Sequence, residues 1–197
     1  MNYRVLFAAG LLALVSSANA LDPLPAGWQP MLGAGPDGLP GVCELGVDGD
    51  LVRAGISNMT IKCQNDIPSF GGLRNPFDAA PYWGKRVRFS AYLQAEGILD
   101  FDNAKGSGGL WIAVGSPQGM RQHRIPEIAL TGWTSWEYRE VVVDVPEGGN
   151  LLQIGFWMQG NGQIWIREIK FEEVPLSVPA TLVLDDVPPI LPNVQLR

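Results

Sequence analysis

The chain has 197 residues, with 14 lysines and arginines against 20 aspartates and glutamates, which gives a formal net charge of −6. An acidic chain without a cluster of basic residues argues against nucleic acid and against anionic membranes as partners. The 24 glycines, 16 prolines and 7 tryptophans indicate many turns between short strands, which is typical of an all-β protein.

The first twenty residues have the layout of a cleavable secretory signal. Arg4 precedes an apolar run over residues 5–15, and small residues end the segment at Ala18, Asn19 and Ala20. The run is shorter than the ~20 apolar residues that a spanning helix needs, and no later run reaches that length. We therefore expect a signal peptide at residues 1–20 and an exported protein, periplasmic or extracellular, that does not span a membrane.

Composition divides the rest of the chain into three parts, which together have about the size of one domain. Residues 21–40 are rich in proline and glycine and predict an extended N-terminal lead. Residues 41–174 carry the strand patterns and predict a single β-sandwich domain. Residues 175–197 form a Pro-rich C-terminal extension, which we expect to pack along the sandwich or to reach a partner.

The chain contains two cysteines, Cys43 and Cys63. An even number of cysteines in an exported protein predicts a disulfide bond between them. Two separate buried thiols are the alternative. A zinc site is disfavoured because His123 is the single histidine of the chain.

Strand patterns recur along the domain with turn residues between them. Residues 85–95 alternate apolar side chains at odd positions with mostly polar ones at even positions, which predicts one buried face and one wet face. Residues 110–114 are apolar throughout and predict a central strand. In residues 136–145, Val141, Val143 and Val145 take odd-numbered positions, and a turn over residues 146–150 ends this strand.

Two tryptophans, Trp157 and Trp165, lie on either side of a Gly-Asn-Gly turn. In residues 151–159 most of the apolar side chains take even-numbered positions, whereas Trp157 takes an odd-numbered one. Trp165 likewise takes an odd-numbered position, between Ile164 and Ile166. If the aliphatic residues face the core, both indoles face away from it. The parity changes after Arg167, which predicts a β-bulge at Arg167 and Glu168.

Three connections between these two strands remain open. A three-residue hairpin with Gly162 in the left-handed conformation pairs Trp157 with Trp165. A two-residue Asn-Gly hairpin mixes polar with apolar faces and is disfavoured. An arch that carries the chain to the opposite sheet places the two rings on different surfaces.

The order of several segments is similar to that of one group of domains. The segments are GVD (residues 46–48), GKRVRFSAYLQAEGI (84–98), GLWIAV (109–114), WTSWEYREVVVDVPEGG (133–149) and GQIWIREIKFEEV (162–174). Together they resemble galactose-binding-like jelly-roll domains, which are similar to carbohydrate-binding modules and include exported bacterial proteins of unassigned function. The resemblance covers residues 28–174 and implies an antiparallel β-sandwich of two sheets. Where such domains often carry an acidic pair that helps a structural calcium site, this chain departs from them with Arg167 and Glu168.

Sugar binding by such a sandwich combines aromatic stacking with planar polar side chains. Trp157 shares its predicted strand face with two glutamines, and other aromatic residues join it if their strands belong to the same sheet. The candidate ligand-binding residues are Trp157, Gln153, Gln159, Trp111, Trp165 and Tyr92. The alternative is that these rings pack under loops or under the C-terminal extension. Trp133 and Trp136 are interpreted as structural, a loop anchor and a sheet-edge filler.

Cofactor and catalytic signals are weak. Asp100, Asp102 and Asn103 offer oxygen ligands at closely spaced positions, which suits calcium, but the twelve-residue ligand pattern is absent and an ordinary solvated loop is favoured. His123 lies in the stretch RQHR, interpreted as a surface loop that contacts an anionic group such as a uronate or has no ligand at all. Neither a catalytic signature nor any other cofactor motif accompanies it.

These observations favour a non-catalytic exported module that binds a carbohydrate or a similar polar ligand. An envelope protein that binds another protein through its sheet face and C-terminal tail is the first alternative. A small glycan-directed hydrolase is the second, because paired carboxylates converge in space and leave no fixed spacing in sequence.

Overall fold

A computed structural model of the protein describes residues 21–32, 43–49, 58–64, 70–99, 106–116, 119–124 and 128–181. The described residues form ten β-strands and one short 3₁₀ helix. They are β1 Gln29–Leu32, β2 Cys43–Val47, β3 Met59–Cys63, β4 Phe70–Phe77, the 3₁₀ helix Ala80–Tyr82, β5 Arg86–Leu99, β6 Ser107–Ser116, β7 Gly119–Arg124, β8 Gly132–Asp144, β9 Leu151–Gln159 and β10 Asn161–Val174. The predicted signal peptide, residues 1–20, lies outside the described residues.

The strands form two five-stranded sheets. We call the sheet with strand order β2-β3-β10-β5-β8 the front sheet and the sheet with order β1-β4-β9-β6-β7 the back sheet. Every neighbouring pair is antiparallel. The predicted all-β, two-sheet antiparallel sandwich is therefore confirmed. In the described part of the chain, no helix has the length and apolar character needed to cross a membrane.

The core lies between the two sheets and takes one face of each. Val87, Phe89 and Leu93 of β5 have no exposed surface, and the same is true of Leu152 and Phe156 of β9. Because successive side chains of a strand point to opposite sheet faces, these alternating positions all reach the interior. Burying each such side chain stabilises the fold by ~1.5–3 kcal/mol, which fixes the strand register that the alternation predicts.

A β-bulge interrupts β10 where the sequence predicts one. The pairing of β10 with β5 shifts between Arg167 and Lys170, and Glu168 takes a left-handed backbone conformation with φ 53°. The extra residue returns Ile169 and Phe171 to the inner face, where both pack against the core. Glu168 thus restores the apolar face of the strand.

The chain passes from the back sheet to the front sheet between β9 and β10, so the structure selects the arch among the three connections. Gly160 and Gly162 have φ values of 93° and 117°. At Gly162 a Cβ atom would overlap the carbonyl group of Gly97, so only glycine fits there. Trp157 and Trp165 consequently belong to different sheets.

Both ends of the described chain are tied to the sandwich. At the N-terminal end β1 pairs with β4, and Asp22 forms a bridge with Val47. Only residues 21–32 of the predicted extended lead are described. At the other end, Arg86 donates hydrogen bonds to the carbonyl oxygens of Leu176 and Val178 at 2.8 and 2.6 Å. Residues 175–181 therefore contact the sandwich, and residues 182–197 of the predicted extension lie outside the described residues.

The predicted disulfide between Cys43 and Cys63 is present. It joins β2 and β3 at directly paired positions and closes a loop of 20 residues. A loop of this size is expected to contribute about 3 kcal/mol of stability.

Candidate functional site

The outer face of the front sheet carries a cluster of aromatic side chains around one arginine. Tyr92 of β5 lies directly opposite Tyr138 of β8 and directly opposite Arg167 of β10. The ring of Trp136, two residues before Tyr138 on β8, contacts the same arginine. We call Tyr92, Trp136, Tyr138 and Arg167 the aromatic–arginine cluster. Three strands thus bring together residues that are far apart in sequence.

The rings of the cluster hold the guanidinium group of Arg167. Its Cζ atom lies 4.1 Å from the ring centroid of Trp136 and 5.8 Å from that of Tyr92, both within the range of a cation–π interaction. Tyr92 and Tyr138 meet edge to face with 5.6 Å between their ring centroids. Tyr138 remains 45% exposed, and the Arg167 side chain 24% exposed. The cluster is therefore ordered yet accessible.

Charged side chains border the cluster on one side. The hydroxyl group of Tyr138 donates a hydrogen bond of 2.8 Å to Glu140, and Arg88 lies 3.5 Å from the same carboxylate. Arg88 also donates to Glu172 at 2.7 and 3.0 Å. Burial raises the pKa of the Tyr138 phenol, so the group stays protonated at neutral pH and remains a donor.

A groove of about 410 Å³ adjoins the cluster at the free edge of β8. It is lined by Ile128, Tyr138, Arg139, Glu140 and Thr181. Thr181 belongs to the C-terminal segment and bonds to both backbone groups of Val142 at 2.8 Å. Tyr138 belongs to both the groove and the aromatic–arginine cluster, so one extended ligand can contact both.

Several comparisons with known proteins place this geometry in context. No protein-family model matches the chain. The uncharacterized HTH-type transcriptional regulator YbfP of Bacillus subtilis (strain 168) is 32% identical over 142 residues, which are 70% of this chain and 46% of that protein. This chain therefore spans less than half the length of that curated relative.

Three solved structures are similar in fold at low sequence identity. The CBM22-1 xylan-binding domain of Paenibacillus barcinonensis Xyn10C has a TM-score of 0.50 and 9% identity over 78% of this chain and 89% of that chain. The CBM22-1–GH10 modules of Clostridium thermocellum Xyn10B, complexed with xylohexaose, match with a TM-score of 0.51 and 10% identity, over 75% of this chain and 26% of that chain. The enzymatically active domain of tailspike protein 4 from bacteriophage CBA120 matches with a TM-score of 0.50 and 14% identity, over 76% of this chain and 20% of that chain. The β-sandwich fold of this chain is thus shared with the matched part of each structure.

The structure separates the six predicted ligand-binding residues between the two sheets. Tyr92 lies in the aromatic–arginine cluster. Trp165 shares the outer face of the front sheet and pairs with Gln94, one row from Tyr92. It is only 8% exposed, and its indole N–H donates to Asp48 at 2.9 Å. Trp111, Gln153, Trp157 and Gln159 belong to the back sheet.

On the back sheet, Trp157 faces away from the core as predicted, but it does not form an exposed stacking surface. It is 6% exposed and Trp111 is 2% exposed, and together they form a second apolar cluster with Phe70 and Met31 packed against it. The rings of Phe70 and Trp157 stack with 6.5 Å between centroids. Gln153, also 6% exposed, is equally enclosed. A free sugar ring cannot reach a surface that these side chains cover.

Glycines explain why the back-sheet indoles lie so close to the sheet. Trp157 pairs with Gly72 on one side and with Gly109 on the other. Trp111 pairs with Gly155, where a Cβ atom would lie 2.6 Å from the indole nitrogen. With no side chains at these three positions, each indole can lie against the backbone of its neighbours. The strands therefore bury the rings that the sequence leaves facing outward.

Sequence reasoning missed Tyr138 and Arg167, and it interpreted Trp136 only as a sheet-edge filler. A signal was present, because Trp136 and Tyr138 have the parity opposite to the buried Val141 and Val143. The sequence does not contain the register that aligns β8 and β10 with Tyr92.

The weaker candidates have separate outcomes. The proposed calcium ligands Asp100, Asp102 and Asn103 lie outside the described residues. Within the described ranges, no group of three or more histidine, cysteine or acidic side chains is placed to hold a metal ion. The loop predicted at RQHR is wrong, because these residues form part of β7, and His123 pairs with Ile112 of β6. As an edge strand, β7 pairs on one side only and tolerates such a polar sequence.

Proposed function

We propose that the protein is a non-catalytic carbohydrate-binding module that holds a glycan across the outer face of the front sheet. The observation that carries the proposal is the aromatic–arginine cluster, where partly exposed rings lie beside fixed hydrogen-bonding groups. Aromatic faces cover the apolar face of a sugar ring, while arginine, tyrosine and carboxylate groups bond its hydroxyls. The fold that the chain shares with carbohydrate-binding modules supports the same function.

We propose further that the module works outside the cytoplasm. The disulfide between Cys43 and Cys63 supports this, because such bonds persist in oxidising compartments. The signal-like first twenty residues point in the same direction.

The test measures binding of a panel of soluble polysaccharides by affinity electrophoresis and by titration calorimetry. Trp136→Ala and Tyr138→Ala should each weaken binding of the retained glycan by ~1–3 kcal/mol, because each removes a stacking surface. Trp83→Ala is the matched control, since Trp83 is 45% exposed but lies before β5 and outside the cluster. Equal losses in all three variants, or full binding in the two cluster variants, would refute the proposed surface.

A further inference from the structure

Arg167 differs from Arg86 and Arg88 of the same sheet in how it is held. The Nε atoms of Arg86 and Arg88 donate to carboxylates at 2.7 and 3.0 Å. Among the described residues, the buried Nε atom of Arg167 has no hydrogen-bond partner, and the carboxylate of Glu168 lies 3.6 Å from it. That separation is longer than a hydrogen bond. Aromatic rings position this guanidinium, and a bonded carboxylate does not.

A guanidinium held in this way suits the recognition of an anion. Stacking on aromatic faces restricts the side chain and leaves the edge of its planar fork free for paired hydrogen bonds to a carboxylate. A buried donor without a partner costs stability and calls for an explanation, and we take the guanidinium of Arg167 to be kept for a ligand. Arg167 is therefore prepared for an acceptor that the described residues do not supply.

The neighbouring carboxylates do not exclude an anionic ligand. Glu140 accepts the hydrogen bond of Tyr138 and lies beside Arg88, so its charge is already compensated. The Glu168 side chain is 57% exposed, and it lies 3.6 Å from Arg167. Because exposed ion pairs contribute little, a ligand carboxylate can replace Glu168 beside the guanidinium.

The net charge of the protein limits how acidic the glycan is. At −6 the chain repels a densely charged polyanion over long range. The cluster offers three aromatic rings for neutral sugars and one cation for a single carboxylate. Resting on the proposed function, we infer that the ligand is a neutral glycan bearing isolated uronic acid residues, and that Arg167 binds one uronate carboxylate.

The experiment compares a uronate-bearing oligosaccharide with its carboxyl-reduced counterpart, in which the carboxylate becomes a hydroxymethyl group. Titration calorimetry of the full chain should show that the acidic form binds roughly 10-fold tighter or more, the effect of one charge-assisted hydrogen-bonding group. Arg167→Gln should remove this preference and leave binding of the reduced form nearly unchanged. Arg167→Lys keeps the positive charge but lacks the planar guanidinium group, so it should retain part of the preference for the acidic oligosaccharide.

Lys170→Gln is the matched control, since it removes one positive charge from the exposed part of the same strand without touching the cluster. It should keep the full preference for the acidic form. Equal binding of both glycans by the unaltered chain would overturn the uronate inference and leave the proposed function standing. Failure of either glycan to bind, together with an empty polysaccharide panel, would overturn both. Far-UV circular dichroism checks that each variant is folded.

Discussion

Replacement of Trp157 by alanine tests whether the back sheet is a packed surface or a binding surface. The indole is 6% exposed and stacks on Phe70. An aromatic side chain of this size buries ~150–250 Å². At ~25 cal/mol per Å² that burial corresponds to ~4–6 kcal/mol, an upper value because the surroundings relax. Measured losses for such truncations are ~3–5 kcal/mol, and we expect Trp157→Ala to fall in that range.

The assay is urea unfolding followed by far-UV circular dichroism, which avoids the change in fluorescence that loss of a tryptophan causes. The unfolding midpoint should fall while the slope with urea stays constant, as for a change in stability alone. Trp133→Ala is the control, because Trp133 is 67% exposed, and it should lose less than about 1 kcal/mol. A loss below ~1 kcal/mol for Trp157→Ala would show that the ring is not enclosed and would return the back sheet to consideration as a binding surface.

Three further predictions concern the scaffold. Thiol titration of the denatured, unreduced protein should find no free thiol at Cys43 or Cys63, and reduction should lower stability by about 3 kcal/mol; two titratable thiols would contradict the bond. The hydrogen bond from Arg86 lowers the pKa of Asp144 below its ordinary value of 3.8. The ionised Asp144 side chain therefore contributes to stability above pH 3.8, and this contribution is lost as the pH falls through the lower pKa of the folded state. Asp144→Asn should therefore flatten the acid decline in stability measured by urea unfolding below about pH 4, and an unchanged profile would refute the coupling. Gly155→Ala places a methyl group against a β4 carbonyl and the Trp111 ring and should lose at least ~2 kcal/mol in the same assay, whereas a neutral effect would mean that the strands are less closely packed.

Strand parity was sufficient to predict which way Trp157 points, but it was not sufficient to predict its burial. The direction follows from local alternation with Ile154 and Phe156, both of which line the core. The cover comes from Met31 and Phe70, on strands whose proline- and glycine-rich sequences carry weak strand signals. Burial of an outward ring thus depends on long-range pairing, which a local pattern does not contain.

The candidate site depends even more strongly on register. The alternation of its own strand places Tyr92 on the outer face of the front sheet, but the sequence offered it only as a companion of Trp157, which lies on the other sheet. Tyr138 and Arg167 reach Tyr92 only through the pairing of β8 and β10 with β5, and both pairings contain register shifts. A shift of one residue moves every side chain beyond it to the other face, so the sequence alone leaves these neighbours undetermined.

The two outer faces of this sandwich show why an aromatic residue alone does not define a binding surface. On the back sheet, glycines beneath the indoles and apolar residues above them leave Trp157 only 6% exposed and Trp111 only 2% exposed. On the front sheet, the rings are bordered by long charged side chains whose ion pairs, such as Arg88 with Glu172 at 2.7 Å, hold them beside the aromatic surface. A partly exposed ring beside charged groups still has apolar area that a ligand can bury. Its polar neighbours can form hydrogen bonds with the hydroxyl groups of that ligand. We therefore propose the front sheet, with its aromatic–arginine cluster, as the surface that binds a polar ligand.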